Sequence, residues 1–83
     1  MTWKEENNTL QASLRFPDFA TAWAFMTEVA FLAEKMNHHP SWSNTYNFVH
    51  ITLCTHDEGD IVTEKDIKMA EKISFIYRKY HDG

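Results

Sequence analysis

The chain has 83 residues, which is one domain, and its 43% hydrophobic content with only two Gly and two Pro is globular rather than disordered composition. Eight Lys and Arg stand against twelve Asp and Glu, giving a net charge of −4. No basic cluster appears, which argues against direct nucleic-acid binding, because phosphate neutralisation needs clustered cations.

Cys54 is the single cysteine, so an intrachain disulfide and a Cys-rich zinc framework are both excluded. The longest apolar stretches, 22–26 and 29–33, are separated by Thr27 and Glu28, and nothing in them spans a membrane. The N-terminal residues show no signal-peptide core, and a cytoplasmic location is expected. A chain this short buries only ~60–65% of its unfolded surface. Self-association, as a homo-dimer or homo-tetramer, is therefore expected.

The first elements form a hairpin. A short strand is predicted over Trp3 to Glu6, and Asn7-Asn8 suits a tight turn. Leu10, Ala12, Leu14 and Phe16 then alternate with polar residues, the period of a half-buried strand. Asp18 is a helix N-cap candidate, and the helix it opens is predicted to run over 18–36. Its expected buried stripe is Phe19, Ala22, Trp23, Met26, Val29, Ala30, Ala33 and Met36, flanked by Phe25 and Leu32. Phe31 points away from that stripe, either as a contact surface for a protein partner through helix 18–36 or as a lone exposed aromatic.

Pro40 disfavours helical geometry at His39, so the chain is expected to leave the helix extended. Trp42, Asn44 and Tyr46 suggest a third strand and Asn47 a turn. Val49, Ile51, Leu53 and Thr55 alternate with His50, Thr52, Cys54 and His56 in a fourth strand that His56 closes. Residues 57–62 read as a loop. Thr63-Glu64-Lys65-Asp66 is a capping box with Asp in the Glu position. It opens a helix whose stripe is Ile67, Ala70, Ile73, Tyr77 and Tyr80. The order β-β-α-β-β-α, with hairpins and no parallel crossover, predicts a single α+β domain over 1–83: an antiparallel four-stranded sheet with both helices on one face.

Three of the five histidines, His38, His39 and His56, lie at element ends, and His50 and His81 stand apart from them. Imidazole suits acid–base duty near neutral pH. The negative end of the helix, with Glu34 four residues earlier, suits a proton-donating ring at His38. Two other readings stay open: a polar helix exit, and a three-histidine zinc site. Against zinc, adjacent residues of extended chain point to opposite sides, and no histidine pair has helical i, i+4 spacing. End positions also suggest that each of the three tolerates Ala without loss of the fold.

The run Glu34-Lys35-Met36-Asn37-His38-His39-Pro40-Ser41-Trp42, with Tyr46, Thr55-His56 and Asp66, resembles the pterin-4a-carbinolamine dehydratase family. The likeness covers about residues 3–78. It departs at Asn37, where the family often has an acid, and at a slightly longer loop before Asp66. The family's usual N-terminal helix is expected to be missing. The resemblance implies dehydration of a 4a-hydroxytetrahydropterin to the quinonoid dihydropterin, part of tetrahydrobiopterin recycling. It implies no cofactor and no metal. Carried over by position, His38, His39 and His56 are the catalytic candidates. The pterin contacts would be His38, His39, Pro40, Trp42, Thr55, His56, Asp57 and Glu58, with Glu34 and Asp66 as supporting carboxylates. The family also implies an alternative role as a protein-binding module that acts as a dimerisation cofactor in transcription.

Overall fold

In the computed structural model, which describes residues 1–81 of the chain with side chains as far as Tyr80, strands β1 (Lys4–Glu6), β2 (Thr9–Arg15), β3 (Ser41–Thr45) and β4 (Phe48–Leu53) form one sheet in the order β1-β2-β4-β3. Every pairing is antiparallel. Helices α1 (Phe19–Met36) and α2 (Glu64–His81) complete the α+β architecture, and a short 3-10 turn spans His56–Glu58.

The hairpin turns have local causes. Asn7 and Asn8 both take positive φ, 53° and 62°, a conformation that Asn tolerates and that matches strand twist. Between β3 and β4 it is Tyr46 that sits at φ 50°. Tyr46 is consequently a turn residue and exposed, not the end of a strand. In the β2–β4 register Ala12 faces Ile51 and Leu14 faces Val49, so one sheet face is apolar. That face is buried together with Leu53, under Phe25, Val29 and Ala33 of α1 and Met69, Ala70 and Ile73 of α2. Phe16, Phe25, Tyr77 and Tyr80 close one end of this core with tilted and edge-on ring contacts.

Both helical stripes differ from the sequence expectation. On α1, Phe19, Trp23 and Ala30 are exposed and Phe25 is fully buried. The buried arc is centred on Ala22, Phe25, Met26, Val29 and Ala33. On α2, Ile67 is half exposed, and Asp66 and Met69 take inward positions instead. The two helices are also joined through Glu28, which accepts hydrogen bonds from the Tyr80 hydroxyl and, at 2.6 Å, the Lys79 ammonium. Those partners hold the Glu28 carboxyl below its ordinary range. No helix among the described residues is long and apolar enough to cross a membrane.

Candidate active site

Helix α1 ends one turn earlier than Pro40 requires. Asn37 adopts the left-handed conformation, φ 52° and ψ 42°. Its amide donates to the Glu34 carbonyl at 3.2 Å, and the His38 amide donates to the Ala33 carbonyl at 3.1 Å. This pair of reversed bonds is a Schellman stop, with Asn in the place usually taken by Gly. It turns the chain so that His38 and His39 leave in opposite directions.

His38 goes inward. Its Nε2 lies 2.6 Å from Oδ1 of Asp66 at the start of α2. The Asp66 side chain is fully buried and the His38 side chain is 11% exposed. Asp66 also accepts, at Oδ2, the Thr55 hydroxyl at 2.7 Å and the Thr63 amide at 2.9 Å. The Thr55 proton is thereby committed, so the Thr63 hydroxyl donates to Thr55 across their 2.6 Å contact. Half of the capping box forms, since the Thr63 hydroxyl oxygen accepts the Lys65 amide at 3.3 Å and not that of Asp66, and the Asp66 carboxylate serves as both cap and histidine anchor. Burial raises the Asp66 carboxyl, but the bonds from His38, the Thr63 amide and Thr55 outweigh it and hold the group below its ordinary value.

His39 goes outward, and its Nε2 lies 2.9 Å from Glu34 Oε1. Glu34 thus pairs with His39 and not with His38, because the Schellman turn swings the second histidine back over the last helical turn. His56 does not close a strand. β4 stops at Leu53, Thr55 bridges to Ile61, and His56 opens the 3-10 turn. Its Nδ1 lies 2.6 Å from Asp60 Oδ1, and both side chains are exposed. Each of the three histidines therefore has a carboxylate on one ring nitrogen, and among the described residues the other nitrogen makes no hydrogen bond.

A cleft of about 320 Å³ joins them, lined by Asn37, His38, His39, Pro40, Ser41, Thr55, His56, Asp57 and Lys65. Six of the residues expected at a pterin site therefore converge: His38, His39, Pro40, Thr55, His56 and Asp57. Trp42 and Glu58 do not line the cleft. Trp42 sits on the helix-facing side of β3, where it lines a second groove with Trp23, Met26, Thr27, Ala30 and Phe31. The cause is strand alternation, which sends Trp42 to the face opposite Ser41. Asn37 was noted in the sequence only as a departure from the family pattern, and Ser41 and Lys65 were not expected at the site. For Ser41 the same alternation held the signal, and for Lys65 it was the position in the first turn of α2 beside Asp66.

The open three-histidine zinc reading fails on distance. Among the described residues, the group of potential ligands close enough to share an ion is Cys54, His56 and Asp60. Burial, with Asp60 and Asp66 nearby, pushes the Cys54 thiol up. His50 lies on the open sheet face, its Nδ1 2.9 Å from the Ser13 hydroxyl, away from the cleft. The side chain of His81 lies outside the described residues.

The family model described as pterin 4 alpha carbinolamine dehydratase matches residues 1–76. A protein of Prochlorococcus marinus (strain NATL2A) is 49% identical over 72 residues, 87% of this chain and 75% of that relative. One from Burkholderia vietnamiensis is 54% identical over 66 residues, 80% of this chain and 64% of the relative. Both are named "Putative pterin-4-alpha-carbinolamine dehydratase". The match thus spans roughly two thirds to three quarters of these relatives' length. Among solved structures, a transcriptional coactivator/pterin dehydratase from Brucella melitensis superposes with a TM-score of 0.85 at 47% identity, covering 89% of this chain and 80% of that one. A pterin dehydratase-like protein described as a RuBisCO assembly factor shares the fold, with a TM-score of 0.78 at 24% identity, over 92% of this chain and 89% of its own.

Proposed function

The chain belongs to the pterin 4 alpha carbinolamine dehydratase family, and from that premise we propose that its histidine cleft dehydrates a 4a-hydroxytetrahydropterin to the quinonoid dihydropterin and water. The observation that carries this reading is the buried His38–Asp66 pair opening into a cleft shared with His39 and His56.

The chemistry is proton transfer. Hydroxide is a poor leaving group, so the 4a oxygen takes a proton as the C4a–O bond breaks and departs as water. A ring-nitrogen lone pair forms the new C=N bond, and a nitrogen proton is lost to a base. One acid and one base suffice, with no metal, nucleotide or redox partner. His38 is suited to one of these roles. Asp66 accepts the hydrogen bond of the Nε2–H, fixing the ring and its tautomer, and would steady an imidazolium. The Nδ1 atom, which makes no hydrogen bond among the described residues, is left for the pterin. His56, held at Nδ1 by Asp60, has Nε2 for the complementary transfer. His39 and the Pro40 and Thr55–Asp57 segments would hold and orient the ring. Turnover of a synthetic 4a-hydroxypterin, followed by the absorbance of the quinonoid product, tests the reading. A rate no faster than the uncatalysed dehydration would overturn it.

A second reading has its own observation. Phe31 is 72% and Trp23 56% exposed, and they flank the groove that holds Trp42. A protein-binding module working through α1 would use that face, in keeping with the coactivator naming of the Brucella relative. The two roles separate by mutation. Partner capture that survives His38→Ala but not Phe31→Glu supports the module, and capture indifferent to Phe31→Glu removes it.

A further inference from the structure

One loop of the cleft brings a thiol, Cys54, which dehydration does not use, beside the His56–Asp60 pair that it does use. Cys54 follows the last residue of β4, His56 opens the 3-10 turn, and Asp60 follows it. One ligand atom from each lies within 4.8 Å of the other two. The loop is tied by its own backbone. The Thr55 amide donates to Ile61 at 2.8 Å, and the amides of Asp60 and Gly59 donate to Thr55 and His56, each at 3.1 Å. Gly59, at φ 85°, makes the reversal that brings Asp60 back over His56.

The set is chemically selective. Thiolate, imidazole and carboxylate together suit zinc and its neighbours, not magnesium or calcium, which prefer oxygen alone. Donors around a tetrahedral zinc stand about 3.3–3.7 Å apart, given bonds of about 2.0–2.3 Å. The 2.6 Å His56–Asp60 hydrogen bond would open to admit the ion, and both side chains are exposed and not held by packing. Asp57 and Glu58, exposed in the same turn, add negative charge that favours a cation.

We propose that Cys54, His56 and Asp60 form a zinc-type transition-metal site on the rim of the cleft, and that its occupation replaces the Asp60 hydrogen bond at His56 Nδ1 with an ion and so inhibits turnover. As the ion enters, the Cys54 thiol releases its proton to solvent, and sulfur, nitrogen and oxygen each donate a lone pair. No electron is transferred. Three protein ligands leave the fourth position to water. Binding stands on the donor set, and only its effect on turnover rests on the dehydratase reading.

The test uses the full chain, stripped with chelator and titrated with Co²⁺ as the probe. One cobalt per chain is expected, with the near-ultraviolet charge-transfer band of a cobalt thiolate, and Zn²⁺ should displace it. Cys54→Ser should abolish the band and weaken zinc by roughly tenfold or more. Asp60→Asn, at an exposed position, should weaken zinc while keeping the band, and it provides the result if Cys54→Ser fails to fold. In the turnover assay, zinc that inhibits the wild type should spare Cys54→Ser, and chelator should restore the wild-type rate. No band in the wild type, or a band retained in folded Cys54→Ser, overturns the site whether or not the protein turns over pterin. Zinc affinity unchanged in Asp60→Asn also overturns it. Equal zinc inhibition of wild type and Cys54→Ser overturns the proposed inhibition.

Discussion

His38 and His56 face the same cleft from opposite kinds of ground. His38 rests on a carboxylate that is fully buried and tied to Thr55, just past β4, and to Thr63, the residue before α2. His56 rests on Asp60, four residues away in the same exposed loop. The first arrangement fixes a ring in one orientation and makes the site part of the fold. The second leaves a ring free to move toward a ligand and contributes little to stability, as exposed ion pairs do. Within one cleft, positioning and mobility are thus assigned to different histidines by burial alone.

The largest effect is expected where the buried side of that comparison is broken. Asp66→Ala leaves the Thr55 hydroxyl and the Thr63 amide without their acceptor and strips His38 of its anchor. A loss of about 3–5 kcal/mol is expected, the usual consequence of breaking a buried pair, and urea denaturation measures it. The pH dependence follows from the same group. The folded carboxyl titrates below its ordinary 3.8, so its stabilisation is fully present above that value and is lost as pH falls through the lower folded value. Thermal unfolding between about pH 5 and pH 2 should show this slope in the wild type and lose part of it in Asp66→Asn. An identical pH profile for both proteins would mean that the buried corner contributes no linkage.

Next come the histidines themselves. His38→Ala and His56→Ala are each expected to lower kcat by ~10²–10⁴ if both transfer protons. Their stabilities should diverge. The sequence suggested that either could be lost without harm to the fold, but only His38 leaves a buried carboxylate short of a partner. His38→Ala should therefore unfold at lower urea, and His56→Ala should match the wild type. Equal destabilisation of the two would erase the distinction between the two sides of the cleft.

His39→Ala is expected to act more on KM than on kcat, because His39 is exposed and paired with exposed Glu34. Steady-state kinetics with varied pterin separates the two. The smallest effect belongs to His50→Ala, which removes only a 2.9 Å bond to Ser13 on the open sheet face. Turnover should be nearly unchanged, and a loss as large as that of His56→Ala would place the chemistry on the wrong face of the sheet.

Strand alternation, the two-Asn turn, the Asp18 N-cap and the Asp66 half of the capping box were all legible, because each depends on residues within a few positions of one another. Asp18 accepts the Thr21 amide at 2.8 Å as its place before the helix predicts. The helical stripes were only half legible. Periodicity places a residue on an arc, but whether Trp23 or Phe25 lies at its centre depends on how closely the sheet approaches. Of the site, the three histidines were legible from their positions at element ends, Pro40, Thr55 and Asp57 came through the family resemblance, and Trp42, expected there too, lines the neighbouring groove, as alternation with Ser41 implies.

What the amino-acid sequence determined by itself was the set of elements, their order, and the fact that three histidines stand at element ends. These follow from local propensities and short-range hydrogen bonds. Which carboxylate each histidine meets was decided only by the tertiary structure. Asp66 lies 28 residues from His38, and it becomes a partner because the Schellman turn at Asn37 and the packing of α2 on the sheet bring the two helix ends together. Glu34, close enough in sequence to have been assigned to His38, went to His39 instead. The same packing excludes water from Asp66 and leaves Asp60 in it, and that difference in solvation separates an anchored histidine from a mobile one.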